Sequence, residues 1–375
     1  MEAAKVYFTD MRTNGGDSLL VKLDRLMQRA GIMQMPLRDK FVAIKIHFGE
    51  PGNLAFLRPN FARTVAERVR ALGGIPFLTD GNTLYTGGRK NALEHLESAA
   101  QNGFSPQSTG CQILIADGLR GLDETNVYIG DMPGVKHVQE AKIGRAIMDA
   151  DAVISLNHFK GHELTGFGGA LKNLGMGGGS RAGKMEQHCN GKPIVDASLC
   201  RGCRRCGAQC AQSAITYAAN KAQIDHDKCV GCGRCIGACN FDAIESDGDV
   251  SERDLCERIA EYALAVVKGR PSFHINIITQ VTPCCDCHGE SDLPIIPDVG
   301  MLASFDPVAL DAASVDLCNR QPVIPGSMLD DELHAHGAGR DHFASIFPNT
   351  DWRAQLVHAE EIGLGTQRYE LVTVK

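Results

Sequence analysis

The cysteines between residues 200 and 239 constrain this chain more than any other feature. CRGCRRCGAQC, then eighteen residues, then CVGCGRCIGAC place the pattern Cys-x2-Cys-x2-Cys-x3-Cys twice, at a constant offset of 29. Such spacing predicts two [4Fe–4S] clusters. Three thiolates set two residues apart must wrap one cube, so the loop is tight and its N–H groups turn toward the sulfurs. Gly202, Gly231 and Gly233 suit that loop because they carry no Cβ to obstruct the approach. The duplication runs past the ligands. Asp196 and Asp225 each stand four residues before a run, and Ala214-Ile215 and Ala243-Ile244 follow at matching positions. Two copies of one supersecondary unit are expected, each covering a cluster with apolar residues. Structural zinc would use separated Cys-x2-Cys pairs and leave one thiolate stranded. Disulfides are poorly served by thiols two residues apart in a chain with no secretory signal.

Over residues 192–247 the chain resembles the two-cluster bacterial ferredoxins. In that pattern the fourth cysteine of each run ligates the other cluster. Cys200, Cys203, Cys206 and Cys239 are thereby assigned to one cube, and Cys229, Cys232, Cys235 and Cys210 to the second. Ferredoxins usually carry proline after the fourth cysteine, where this chain has Ala211 and Asn240. No ligand is lost, and the departure bears on cluster shielding and hence potential.

At 375 residues with 43% apolar content, the chain can bury a substantial core beside this module. The expected organisation is an α/β domain in two parts, 1–191 and 248–375, interrupted by the module at 192–247. The start, MEAAKVYFTDMR, lacks a basic segment followed by an apolar run, and no stretch reaches the length of a membrane span. A reducing cytoplasm and an anaerobic or microaerobic host are expected. A net charge of −7 argues against a nucleic-acid partner. Locally the balance reverses, with Arg201, Arg204, Arg205, Lys221, Lys228 and Arg234 set against Asp225 and Asp227. These cations either offset the negative charge of tetrathiolate clusters or form a docking patch for an acidic redox partner protein.

Elsewhere β-rich runs alternate with helical spacing. Strands are expected at 5–9, 41–46, 75–79, 111–115, 152–156 and 273–281. Helices are expected at 18–30, 60–72, 88–101, 139–149 and 252–268, and another begins at Asp306-Pro307, an N-cap followed by proline at the first helical position. The fold class is therefore α/β, a mainly parallel sheet with flanking helices, plus an inserted small α+β two-cluster ferredoxin-like domain. In open α/β sheets ligands sit beyond the carboxyl ends of the strands. His47, Glu50, Asp80, Asn82, Asp117, His158, Lys160 and His162 all fall there. Polar residues are common in any loop, so the weight lies in successive strand ends behaving alike.

Residues 157–188 hold nine glycines interleaved with His158, Lys160, His162, Lys172, Lys184 and His188. His158, Lys160 and His162 are the candidate catalytic residues, and a small-molecule substrate is their expected partner. Lys172, Gly177, Gly178, Gly179 and Lys184 are candidates for binding an anionic or phosphate-bearing cofactor such as a flavin nucleotide. The alternative is a tight glycine turn packing against the insert. Met185 stands where a P-loop needs Ser or Thr to hold Mg2+, which excludes nucleoside triphosphate hydrolysis. Cys284, Cys285, Cys287 and His288 at a strand end either bind a metal, reach a cluster or sit as buried reduced thiols. The tail from 321 to 375 suggests no role, and the lone Trp352 reads as core.

The phrases IHFGEPGN (46–53), FLTDGNTLYTGGRKNALEHL (77–96), NHFKGHELTGFGGALKNLGMG (157–177) and PDVGMLASFDPVALDAASVDL (297–317) are similar to the family called domain of unknown function 362, in its iron–sulfur-containing branch. That resemblance implies an Fe–S protein with a ferredoxin domain inserted in an α/β domain, and it supplies no substrate. The His-Lys-Gly loop also resembles that of α/β racemases built on a nickel-pincer nucleotide. The resulting expectation is an electron-transfer oxidoreductase or redox subunit. The competing readings are a non-redox acid–base enzyme with structural or sensing clusters, and a carrier that docks to a larger reductase.

Overall fold

The computed structural model describes residues 2–375 apart from 85, 86, 189–191, 230, 232, 247–249, 338 and 340. Cys232, a ligand expected from the sequence, lies outside the described residues. The strands β1 (Ala4–Asp10), β2 (Phe41–Lys45), β3 (Ile75–Asp80), β4 (Gln112–Ile115), β5 (Ala152–His158), β6 (Ser272–Ile278), β7 (Gly300–Ser304) and β8 (Tyr369–Thr373) form one sheet. Its order is β8-β1-β7-β6-β5-β2-β3-β4. Every neighbouring pair is parallel except those made by β7, which runs against both β1 and β6. The chain is thus α/β with a mainly parallel sheet, as its alternating pattern predicts.

Both faces of the sheet are covered, so its central strands are apolar on both sides. Ile154, Leu156, Ile275 and Ile277 face the core built with α1 (Leu19–Arg29), α2 (Pro59–Ala71) and α3 (Ala92–Gln101). Val153 and Leu302 face the second core, built with α4 (Ala170–Gly178), α6 (Glu252–Val267), α7 (Pro307–Asn319) and α8 (Trp352–Glu361). The helices start where the sequence says they should. Ser18 accepts from Val21 N at the start of α1, and Asp306 accepts from Val308 N and Ala309 N ahead of Pro307. Trp352 is buried, edge-on to Phe167.

One expected helix is corrected. Residues 140–144 form a strand paired antiparallel with 124–128, and the helix is only Arg145–Asp149. Ala141 and Ile143 are buried while Glu140 is exposed, a period of two that a helical reading of 139–149 overlooked. The tail contributes β8 at the sheet edge beside β1. Among the described residues no helix is long and apolar enough to cross a membrane.

A buried polar chain fixes α4 over the strand ends. Lys45 Nζ donates to Asn173 Oδ1 (2.8 Å), and Asn173 Nδ2 donates to Asn157 Oδ1 (2.7 Å). Asn157 Nδ2 donates to Asn276 Oδ1 (2.9 Å), and Asn276 Nδ2 donates to Asp311 Oδ1 (2.8 Å). Asp311 of α7 in turn accepts from Ala170 N and Leu171 N, capping α4 from another helix.

Candidate functional site

The two cysteine runs fold alike. Each leads through a left-handed residue, Arg204 or Gly233, into a short helix, 205–209 or 234–238, that ends at the fourth cysteine. The main-chain carbonyl oxygens of Asp196 and Asp225 accept from Cys200 N and Cys229 N at 3.0 Å, one at each start. Ala214 N and Ala243 N donate to the sulfurs of Cys210 (3.3 Å) and Cys239 (3.4 Å). Ala222 N donates to Cys200 Sγ (3.4 Å). Strand 215–218 pairs with 221–224, and 193–195 pairs with 244–246, so each copy's flank closes on the other.

The fourth cysteines cross over. Cys239 lines a small cavity with Cys200, Cys203 and Cys206, while Cys210 lines another with Cys229 and Cys235. Cys200, Cys206, Cys235 and Cys239 are buried among Ala222, Ile236, Ala243 and Ile244. Apolar walls, converging thiols and N–H groups aimed at sulfur are what a tetrathiolate cluster needs, and the donors present fit one.

A much larger cavity, about 700 Å³, opens beyond the carboxyl ends of β2, β3, β5 and β6. Its walls include His47, Asp80, His158, Lys160 and His162 of the strand-end residues singled out by the sequence. Glu50, Asn82 and Asp117 lie outside this lining and hold loops instead. Glu50 pairs with Arg89 (2.6 Å), and Asp117 accepts from Asn82 N (2.9 Å) and Asn82 Nδ2 (2.8 Å). Ile194 and Glu245, next to the cysteine cavities in the fold, close the far side. Helix α5 (Arg181–His188) joins the two regions. A Cβ on Gly233 would lie 2.8 Å from Met185 Cγ, so this helix packs hard against the second run, while Lys184 and His188 line the large cavity.

His158 is held on both sides. Its Nδ1 is 2.9 Å from Asp286 and its Nε2 is 2.7 Å from the carbonyl oxygen of Thr279. Both ring nitrogens are thus engaged by groups of the protein itself. His158 lines the cavity with its ring tied to Asp286 and to the strand-end backbone. His162 is different. Its Nδ1 accepts from Leu164 N (3.1 Å) and Thr165 N (3.2 Å), which places its proton on Nε2. Lys160 Nζ donates to the carbonyl oxygen of His158 (3.3 Å) and lies 3.8 Å from Asp286.

Cys285 is buried in the same wall and receives a hydrogen bond from Lys172 Nζ (3.1 Å). Hydrogen bonding from Cys287, then the charges of Lys172 and Lys160, hold the Cys285 thiol well below its ordinary range despite burial. Burial lowers His47 and His188 to about 3, and the charge of Arg89 adds to this at His47, so both rings are neutral. Burial also lowers Lys184 to about 8, against the pull of Asp117 and Asp80. The sequence marked Lys172 and the thiols separately; their contact and the roles of Asp286 and Glu163 had no local signal.

Of the candidate cofactor-binding residues, Lys172, Gly177 and Lys184 line the large cavity. Gly177 and Gly178 form the last turn of α4, and Gly179 N donates to the carbonyl oxygen of Gly175 (3.1 Å), so this backbone also completes the helix. These glycines answer to packing: a Cβ on Gly178 would sit 2.8 Å from Val266 Cγ2 of α6.

Among solved structures, the chain is similar to a protein from Thermotoga maritima determined by the Northeast Structural Genomics Consortium, at 14% identity over 80% of this chain and TM-score 0.38. It spans 57% of that protein's length. It is also similar to the lactate racemase apoprotein from Thermoanaerobacterium thermosaccharolyticum, at 10% identity over 99% of this chain and 83% of that one, with TM-score 0.36. No curated protein matches. The family described as Domain of unknown function (DUF362) matches residues 42–316, most of the length, and the chain belongs to it.

Proposed function

We propose that this chain is an iron–sulfur electron-transfer protein, acting as an oxidoreductase or as the redox subunit of one. In this reading 192–247 is an inserted two-cluster ferredoxin-like module. Cys200, Cys203, Cys206 and Cys239 hold one [4Fe–4S] cluster, and Cys210, Cys229, Cys232 and Cys235 hold the other. The observation that carries the reading is the exchange of fourth cysteines between the two small cavities. When bound, such clusters supply or accept electrons one at a time.

The chain's own part is to hold the acceptor and manage its protons. Lys160, Lys172 and Lys184 face the large cavity and favour an anionic acceptor. The Nε2–H of His162 donates a hydrogen bond to the developing negative charge, and the ammonium of Lys184, set near 8, supplies a proton to it. His158, through Asp286, fixes the wall that carries Cys285. The cations around the cysteine runs offer a face to an acidic redox partner.

Anaerobic purification with iron and acid-labile sulfide analysis, followed by electron paramagnetic resonance after dithionite, tests the reading. The expected result is eight irons per chain and two reducible centres, with Cys203→Ala losing at least one of them. Clusters that resist dithionite would point instead to the acid–base alternative, and a protein without iron would overturn both.

A further inference from the structure

We propose that Glu163, Cys287 and His288 form a mononuclear site for a divalent ion of the zinc class, in the wall of the large cavity and separate from the cysteine runs at 200–239. One ligand atom from each of the three lies within 4.8 Å of the others. Ligands at roughly 2.0–2.3 Å from a tetrahedral ion stand about 3.3–3.8 Å apart, so a small closing movement suffices. His288 Nε2 is already 2.9 Å from Glu163 Oε1. The second oxygen, Glu163 Oε2, is buried and accepts no hydrogen bond from the described residues, although His162 Nδ1 lies 3.9 Å away. A buried carboxylate oxygen left in this state is costly unless a cation completes it.

The frame around the three is set by other contacts. Asn53 Nδ2 donates to the carbonyl oxygen of His288 (3.0 Å), and His288 N donates to that of Cys285 (3.1 Å). Two segments far apart in sequence, 160–163 and 284–288, thus meet with their donors converging. A thiolate, an imidazole and a carboxylate together suit a borderline ion and not Mg2+ or Ca2+, which take oxygen ligands. Three protein ligands with a position left open is the catalytic arrangement of zinc. All three residues line the large cavity, so that position is open to water or to an oxygen of a bound substrate. Metal binding would displace the proton shared by His288 and Glu163 and the thiol proton of Cys287.

The test uses anaerobically purified protein that keeps its iron, stripped of loosely bound metal and titrated with zinc. One zinc per chain is expected with no loss of iron, and Cys287→Ala and His288→Ala should each weaken it at least tenfold. X-ray absorption at the zinc edge should find one sulfur and otherwise nitrogen or oxygen ligands, with the sulfur lost in Cys287→Ala. His288 is 39% exposed, so its replacement tests the site even where Cys287→Ala fails to fold. Zinc affinity unchanged in His288→Ala, or a zinc bound by four sulfurs, would overturn the assignment.

Discussion

Asp80 is the anchor of the cavity floor, and its replacement by asparagine gives a stability prediction with a clear magnitude. Its carboxylate lies 2.8 Å from Lys45 Nζ, 3.6 Å from His95 Nε2 and 3.7 Å from Arg89 Nη1. The Lys45 and Asp80 side chains are 1% and 3% exposed, so water screens neither charge. Arg89 keeps Glu50 as a partner in the variant, whereas Lys45 retains only the amide oxygen of Asn173. Leaving one buried charge uncompensated costs about 3–5 kcal/mol, and because asparagine still accepts a hydrogen bond the lower end, about 3 kcal/mol, is expected. Removing Lys45 as well, in the Asp80→Asn, Lys45→Met double variant, should give back about 2 kcal/mol as coupling energy. Urea unfolding followed by the fluorescence of Trp352, the single tryptophan, reads the difference. Burial works to raise the Asp80 pKa, but Lys45 and then His95 hold it well below the usual range. Its contribution is therefore complete above the unfolded value, about 3.9, and fades as pH falls below it. A cost under about 1 kcal/mol, or single-variant costs that simply add in the double variant, would refute the pairing as described.

Gly161 lies between Lys160 and His162, and a Cβ there would sit 2.1 Å from the carbonyl oxygen of Pro283, where ordinary contact begins at 3.4 Å. Gly161→Ala must therefore move backbone by about an ångström and should cost about 1–3 kcal/mol, read as a lower urea midpoint; an unchanged midpoint would contradict the close approach. Lys184 has its pKa lowered in the fold to about 8, so between pH 8 and 10 the unfolded chain binds the extra proton and stability rises with pH. Relative to Lys184→Met, the wild type should gain up to about 1.4 kcal/mol per pH unit across that window, and parallel pH profiles would show that Lys184 titrates normally.

The strands from β1 to β6 were legible because each is a β-rich run ending abruptly in polar residues, and that same punctuation marked the ligand side of the sheet. Residues 140–144 misled because five alternating positions were absorbed into the helix that follows them. The reversed strand β7 ends just before the helix cap at Asp306, the stronger local signal in that stretch, and β8 joins the sheet at β1 from the far end of the chain. The site divides in the same way. Cysteine spacing carries its own geometry, so the runs could be read locally. The contact of Lys172 with Cys285 spans 113 residues, and no periodicity encodes it. His158 stands at a strand end that the sequence marks, whereas its partners, Asp286 and Thr279, are equally remote in sequence.

Anomalous diffraction at the iron edge from anaerobically grown crystals bears most directly on the exchange of cysteines between the runs. Two iron clusters are predicted, one bonded to Cys200, Cys203, Cys206 and Cys239 and the other to Cys210, Cys229, Cys232 and Cys235. A cluster bonded to all four cysteines of one run, or density without iron at these sulfurs, would contradict it.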